Sequence, residues 1–239
     1  MHPMVETASA RCEGGGVSLR DHSTASPVRE ERFSDPAVAI GSGYAESKWV
    51  AEQLFYQAAT GCGLRNTVVR VGQLCGDTKT GGWGQQEWVP AIVSLSQSVK
   101  SVPSRDQHVS WVNVDIAAAT LVDIAKSKTE EPVLHLMARS PVSWDTVFRP
   151  IAKRLGNLPL VSYEKWLESL ETLTSKGETT IKPSAAALLP FFRHAQFGNQ
   201  IKYDVSKTCQ VSTTMAQMEP LSAEDVVKSV DYWEKIGFL

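Results

Sequence analysis

Nowhere in this 239-residue chain does an apolar run approach the roughly 20 residues that a membrane span requires, and the first residues hold no apolar core of a secretory signal. No basic stripe is present either. With 24 Lys and Arg against 26 Asp and Glu, and a pI near 6.2, the chain lacks the electrostatic footprint of a nucleic-acid binder. Cysteine is sparse. Cys12, Cys62, Cys75 and Cys209 stand far apart, without a C-x-x-C pair or a histidine-rich partner segment, which argues against a zinc site and for reduced thiols. These absences predict a soluble, cytoplasmic protein with no metal, no nucleic acid and no membrane among its partners. Apolar residues make up 42% of the chain, enough for a sizeable core in one large domain or a core domain with an appended lobe.

Residues 1–36 carry little periodicity: Gly14-Gly15-Gly16, Ser23 to Ser26 and Arg29-Glu30-Glu31-Arg32 read as a poorly structured segment. Gly41-Ser42-Gly43 then leads into an amphipathic helix. Ser42 is its expected N-cap, Val50, Ala51, Leu54, Phe55, Ala58 and Ala59 its expected apolar face, and Gly61 and Gly63 its end. Thr67 to Val71 follows as a β-branched run. A helix feeding such a run is half of a βαβ unit, which predicts a parallel sheet covered by helices. Gly72-Gln73-Leu74-Cys75-Gly76-Asp77 and Gly81-Gly82-Trp83-Gly84 form a glycine-rich loop at that strand's carboxyl end, where open α/β sheets bind ligands.

Further on, a helix is expected from Trp88 until Pro103 stops it, a strand from Val109 to Val114, and a helix capped by Asp115. Pro132 to Met137 reads as another strand, with His135 a core histidine. Beyond it the pattern is mainly helical: a helix capped by Ser143, one over Tyr163 to Leu173, a short one from Pro183 to Phe192, and a last one from Leu221 that Gly237 closes. The expected division is a poorly structured segment over 1–36, an α/β portion over 37–139 and a helical C-terminal lobe over 140–239.

The chemistry-bearing feature is Tyr44-Ala45-Glu46-Ser47-Lys48. Positions i and i+4 share one helix face, so a phenol and an ammonium project together, the charge favouring ionisation of the phenol. Carbonyl reduction needs such a proton donor. The spacing alone is a weak signal, because Tyr203 and Lys207 repeat it. Their surroundings differ: Tyr44 opens a helix that feeds a strand, whereas Cys209 to Thr214 shows no helical period.

Gly41 to Glu52 resembles the catalytic segment of extended short-chain dehydrogenases/reductases. More narrowly, it is similar to the thioester reductase domains of nonribosomal-peptide-synthetase-like enzymes, including fungal adenylate-forming reductases. Val69-Arg70-Val71-Gly72-Gln73-Leu74-Cys75-Gly76, Gly82 to Pro90, Trp111-Val112-Asn113-Val114-Asp115, Pro141 to Trp144, Glu164 to Leu167, Phe191-Phe192 and Asp231-Tyr232-Trp233 extend the resemblance over roughly residues 27–239. The resemblance implies NADPH-dependent reduction of an acyl thioester, held on the phosphopantetheine arm of a carrier domain, to an aldehyde or alcohol. Tyr44 would donate the proton; Lys48 would support it and hydrogen-bond the nicotinamide ribose. Thr7 or Ser9 would be the third catalytic hydroxyl, at the end of the strand before the catalytic helix. Gly72, Gln73 and Leu74 would approach the nicotinamide through their backbone. Trp83 and Trp88 either line the acyl channel or pack in the core.

Such an enzyme also carries a Gly-x-x-Gly-x-x-Gly turn that seats the pyrophosphate on a helix N-terminus, and no segment before Tyr44 has that form. The expectation is a fragment of a longer reductase whose N-terminal βαβ units are absent, holding NADPH weakly by itself, with a missing reductase half as a possible partner. Two alternatives stay open: an inactive binding or interaction remnant, and an extended reductase acting on a free small carbonyl or a nucleotide-sugar.

Overall fold

The computed structural model describes residues 27–41, 43–175, 188–194 and 202–239, and the backbone alone of residues 4–9. In chain order the first elements are β1 (Met4–Ser9), α1 (Gly43–Cys62), β2 (Asn66–Val71), β3 (Gln73–Cys75), α2 (Trp88–Val99), β4 (Val102–Ser104), β5 (His108–Val109), β6 (Trp111–Asn113) and α3 (Val114–Lys126). There follow β7 (Val133–Leu136), β8 (Val142–Ser143), α4 (Trp144–Arg154), β9 (Leu160–Ser162), α5 (Tyr163–Ser175), α6 (Leu189–His194), α7 (Ser206–Val211), α8 (Thr213–Ala216) and α9 (Ala223–Lys235). The chain alternates between two compact units. One comprises residues 1–74, 110–140 and 196–220; the other comprises 75–109, 141–195 and 221–239.

The first unit is built on a parallel sheet of order β1-β2-β7, with Ser9 opposite Val71 and Val71 opposite Leu136. Strand residues alternate between faces. On one face Val68 and Val133 pack beneath Phe55 and Tyr56 of α1. On the other, Val69, Val71, Leu134 and Leu136 form a core with Ala117 and Ile124 of α3 and partly buried Val211 and Met218. This is the partial Rossmann-like, helix-covered sheet that the βαβ pattern predicts.

α1 differs from its expected orientation. Val50 and Leu54 are 51% and 65% exposed, while Ala45, Glu52 and Tyr56 are its buried positions. The helix turns a carboxylate toward the sheet because Arg70 points up at it from β2, and a buried charge requires a partner. Ser42, the expected cap, lies outside the described residues.

Other ends also moved. α2 stops at Val99, where Lys100 turns left-handed (φ 56°) and donates its N–H to Ser96 O; Pro103 sits in β4. Asn113, not Asp115, occupies the N-cap of α3, and Val114 is already helical. Cys209 to Thr214 falls in helices α7 and α8, of 6 and 4 residues, too short to show a period. Ser212 caps α8, accepting from Met215 N and donating its hydroxyl to Asp123.

The second unit packs helices around tryptophans. Trp144 and Phe148 stack at 4.2 Å between centroids, Trp88 lies 6.2 Å from Trp144, and Trp83 lies 5.5 Å from Trp233, whose indole N–H donates to the Trp83 carbonyl. Ser143 caps α4, as expected, by accepting from Thr146 N. Ser222 and Asp225 make a reciprocal capping box for α9, and Gly237 follows its end with φ +71°.

Candidate active site

α1 runs antiparallel to β2. Its last turns sit at the strand's start, where the Asn66 side-chain amide donates to Phe55 O (2.9 Å), and Glu52 pairs further along with Arg70. The first turn of α1 therefore arrives at the carboxyl edge of the sheet, beyond Val71. β1 ends at the same edge with Ser9, because β1 and β2 are parallel and Ser9 is opposite Val71. Gly72, Gln73 and Leu74 leave β2 there as well. Topology thus brings the first turn of α1, the end of β1 and residues 72–74 to one edge, within one unit. The side chains of Thr7 and Ser9 lie outside the described residues; of the two, Ser9 is the strand's last residue.

Tyr44 is 43% exposed, and the Lys48 ammonium stands over its ring, 5.7 Å from the centroid. The first turn is tied down locally: Ser47 donates its hydroxyl to Tyr44 O (2.8 Å), and Gly41 N–H donates to Glu46 Oε1 (3.3 Å). A phenol and an ammonium so placed can hand a proton to an incoming oxygen while a positive charge faces the ring left anionic.

The glycines of the loop separate into two kinds. A β-carbon on Gly76 would come within 2.6 Å of the Gly81 carbonyl oxygen and 2.4 Å of Ser229 Oγ, and one on Gly81 within 2.2 Å of the Lys228 carbonyl carbon in α9, so close packing requires both glycines. Gly81 also has φ +71°. A β-carbon on Gly72 would meet Leu136 O, Met137 Cγ and Ser110 O at an ordinary 3.6 Å. A β-carbon would be tolerated at Gly72, so close packing by itself does not require glycine there. Asp77 organises the rest of the loop. Its carboxylate accepts from Lys79 N (3.0 Å), Thr80 N (2.8 Å) and Gly82 N (2.8 Å), and these bonds, with the Thr80 hydroxyl, hold its pKa down at about 2.

Beneath the α1 face lies a buried polar chain that the sequence reading missed. Glu52 accepts from Arg70 Nε (2.9 Å) and Nη2 (2.8 Å), and from the Tyr56 hydroxyl (3.1 Å). Burial, first, and the Glu52 charge push the Tyr56 phenol upward, so it stays a neutral donor. Arg70 Nη1 lies 3.3 Å from His135 Nε2, and His135 Nδ1 lies 2.9 Å from Asp204 O. A carbonyl can only accept, so Nδ1 carries the proton and Nε2 accepts from Arg70. Burial and the Arg70 charge lower the His135 pKa to about 4, in keeping with that neutral tautomer. Glu30 completes the chain, accepting from His135 N (2.9 Å), Lys207 N (2.6 Å), Thr208 N (3.1 Å) and the Thr208 hydroxyl. One signal was available: a lone arginine inside the β-branched run Thr67–Val71 requires a buried partner, and Glu52 sits one turn past Lys48.

His135 is thus a satisfied core histidine, and Trp83 and Trp88 are packed within the second unit. No described helix is long and apolar enough to cross a membrane. Among the described residues no cluster of His, Cys, Asp or Glu suits a metal.

An NAD-binding family described as "Male sterility protein" matches residues 5–121. Among curated proteins, the adenylate-forming reductase Nps10 of Heterobasidion annosum is 33% identical over 240 residues, covering 92% of this chain and 22% of that protein. The adenylate-forming reductase Nps11 of Serpula lacrymans is 29% identical, covering 87% of this chain and 21% of that protein. The chain therefore spans about a fifth of the length of these relatives. Among solved structures, the terminal R domain of the myxalamid PKS-NRPS pathway superposes with a TM-score of 0.79 at 23% identity, over 99% of this chain and 59% of that one. A thiolation-reductase di-domain from an archaeal non-ribosomal peptide synthetase gives 0.72 at 15% identity, over 98% and 49%. At these identities the structural likeness establishes the fold.

Proposed function

We propose that this chain, a relative of adenylate-forming reductases, supplies the proton-donating side of an NADPH-dependent reduction of carrier-bound acyl thioesters. The observation that supports this reading is the placement of the Lys48 ammonium 5.7 Å over the Tyr44 ring, at the exposed start of α1 and the carboxyl edge of a parallel sheet. Open α/β sheets bind their ligands at that edge.

The residues fit one end of the cofactor. Tyr44, Lys48 and the backbone of Gly72, Gln73 and Leu74 would face the nicotinamide and its ribose, glycine permitting a close approach to the backbone. When bound, the reduced cofactor supplies the hydride, which no side chain can provide. The pyrophosphate end needs a glycine-rich turn opening a helix, and this sequence has none before Tyr44. On this reading a dinucleotide-binding segment carrying that turn would hold the pyrophosphate, and the assembled reductase is this chain together with that segment.

The chain's own residues then act on the acyl group. As negative charge develops on the thioester oxygen, the Tyr44 hydroxyl donates its proton to it, and Lys48 faces the phenolate that remains. Thr7 or Ser9, both in β1, would be the hydroxyl that holds that oxygen. Loss of the pantetheine thiol gives the aldehyde, and a second round would give the alcohol. An acyl-pantetheine on a carrier domain is the substrate class, in line with the thiolation-reductase pairing of one structural neighbour.

Substrate class is tested by following NADPH oxidation in the assembled reductase with an acyl-pantetheine thioester and, separately, with free aldehydes and nucleotide-sugars. Turnover of the thioester at an efficiency at least about tenfold above the free substrates supports the reading. Preference for a free carbonyl, or no thioester turnover, overturns it.

A further inference from the structure

Tyr44, Lys48, Glu52 and Tyr56 follow one another at intervals of four along α1. Four residues rotate a helix by a full turn plus about 40°, so the stripe drifts slowly around the axis. Its far end is buried against β2 and its near end emerges, half-exposed, at the carboxyl edge. Two anchors set the rotation of this stripe. The first is the two-pronged pair of Glu52 with Arg70, whose side chains are each 9% exposed. The second is the Phe33 carbonyl, which accepts from Trp49 Nε1 (3.0 Å) and Gln53 Nε2 (3.1 Å). Arg70 is itself fixed from the far side by His135 and lies 4.5 Å from the Phe33 ring centroid.

We propose that the Glu52–Arg70 pair is the positioning device of the candidate site, setting the rotation and register of α1 so that Tyr44 and Lys48 face the carboxyl edge. A buried ion pair is a poor stabiliser, since desolvation offsets most of its attraction and apolar replacements are often neutral or better. A planar guanidinium gripping both carboxylate oxygens does fix direction, which an apolar contact between α1 and β2 does not. Val50 and Leu54 show what is at stake: α1 carries a second apolar stripe, and with Glu52 silenced that stripe competes for the sheet face. A rotation that buried it would carry Tyr44 and Lys48 off the edge.

The catalytic part of this proposal rests on the function proposed above; the positioning part does not. The test uses Arg70→Lys, which keeps the charge but loses the fork, and the apolar double variant Glu52→Leu/Arg70→Met. Both are labelled with fluorotyrosine, the Tyr44 resonance being assigned by its disappearance in Tyr44→Phe. In variants whose thermal midpoint stays near the parent's, the Tyr44 fluorine resonance moves. In the assembled reductase, kcat for the thioester falls by about tenfold or more while KM stays within about twofold, as expected for misplaced reacting groups. An unchanged resonance in a folded variant overturns the proposal, as does undiminished kcat. Should the double variant fail to fold, Arg70→Lys decides by the same resonance. If the parent reduces no thioester, the functional reading fails alone, and the resonance still decides whether the pair positions Tyr44.

Discussion

Two tyrosine–lysine pairs in this chain share one spacing and almost nothing else. Tyr44 and Lys48 sit on successive turns of a 20-residue helix, the ammonium 5.7 Å over the ring, at the open edge of a sheet. Tyr203 lies in an extended bridge to Val28, edge-on to His135 at 5.6 Å, and Lys207 belongs to a helix that starts only at Ser206. Lys207 pairs with Glu131 at 2.6 Å instead of with Tyr203. The difference shows that a spacing carries chemistry only when one regular element spans it and when that element ends where a ligand can reach. The second pair is part of the scaffold that holds Glu30, His135 and α7 together.

The largest effect that separates the pairs is catalytic. Removing the proton donor by Tyr44→Phe should slow thioester reduction by about 10²–10⁴-fold in the assembled reductase. Tyr203→Phe and Lys207→Met should leave the rate within about twofold. Steady-state rates with an acyl-pantetheine thioester check this, and a large loss in Tyr203→Phe would erase the distinction.

A smaller effect is expected from the scaffold side and concerns stability. His135 is buried and neutral, with a folded pKa of about 4 against roughly 6.5 when unfolded. The unfolded state therefore takes up a proton first. Stability is complete above about pH 6.5 and lost as the pH falls toward 4, by roughly 3 kcal/mol across the window. Denaturant unfolding at several pH values should show this slope in the parent and less of it in His135→Gln. Equal slopes would mean that His135 is not the group being protonated.

Much of the fold was legible because its signals are local. The β-branched run at Thr67–Val71, the cap at Ser143 and the start of the last helix near Leu221 each depend on residues within a turn of one another. The orientation of α1 was not legible. Counting apolar positions favoured Val50 and Leu54, and the winning face was set by Arg70, eighteen residues past Glu52, through an ion pair. The glycine loop was half legible. Its start at the end of β2 was read correctly, but Gln73–Cys75 forms strand β3 by pairing with β6, and only packing distances separate Gly76 and Gly81 from Gly72. Tyr44, Lys48, Gly72, Gln73 and Leu74 were proposed from motif and resemblance, whereas Glu30, Glu52 and Asp77 act through three-dimensional neighbours and leave no motif.

The central claim is that ligands reach Lys48 and not Lys207. Lysine acylation read by mass spectrometry, with and without NADPH and an acyl-pantetheine thioester in the assembled reductase, tests it directly. Labelling of Lys48 should fall when the ligands are added, while labelling of Lys207 stays as it was. Unchanged labelling of Lys48 at saturating ligand, or protection of Lys207 in its place, would contradict the account.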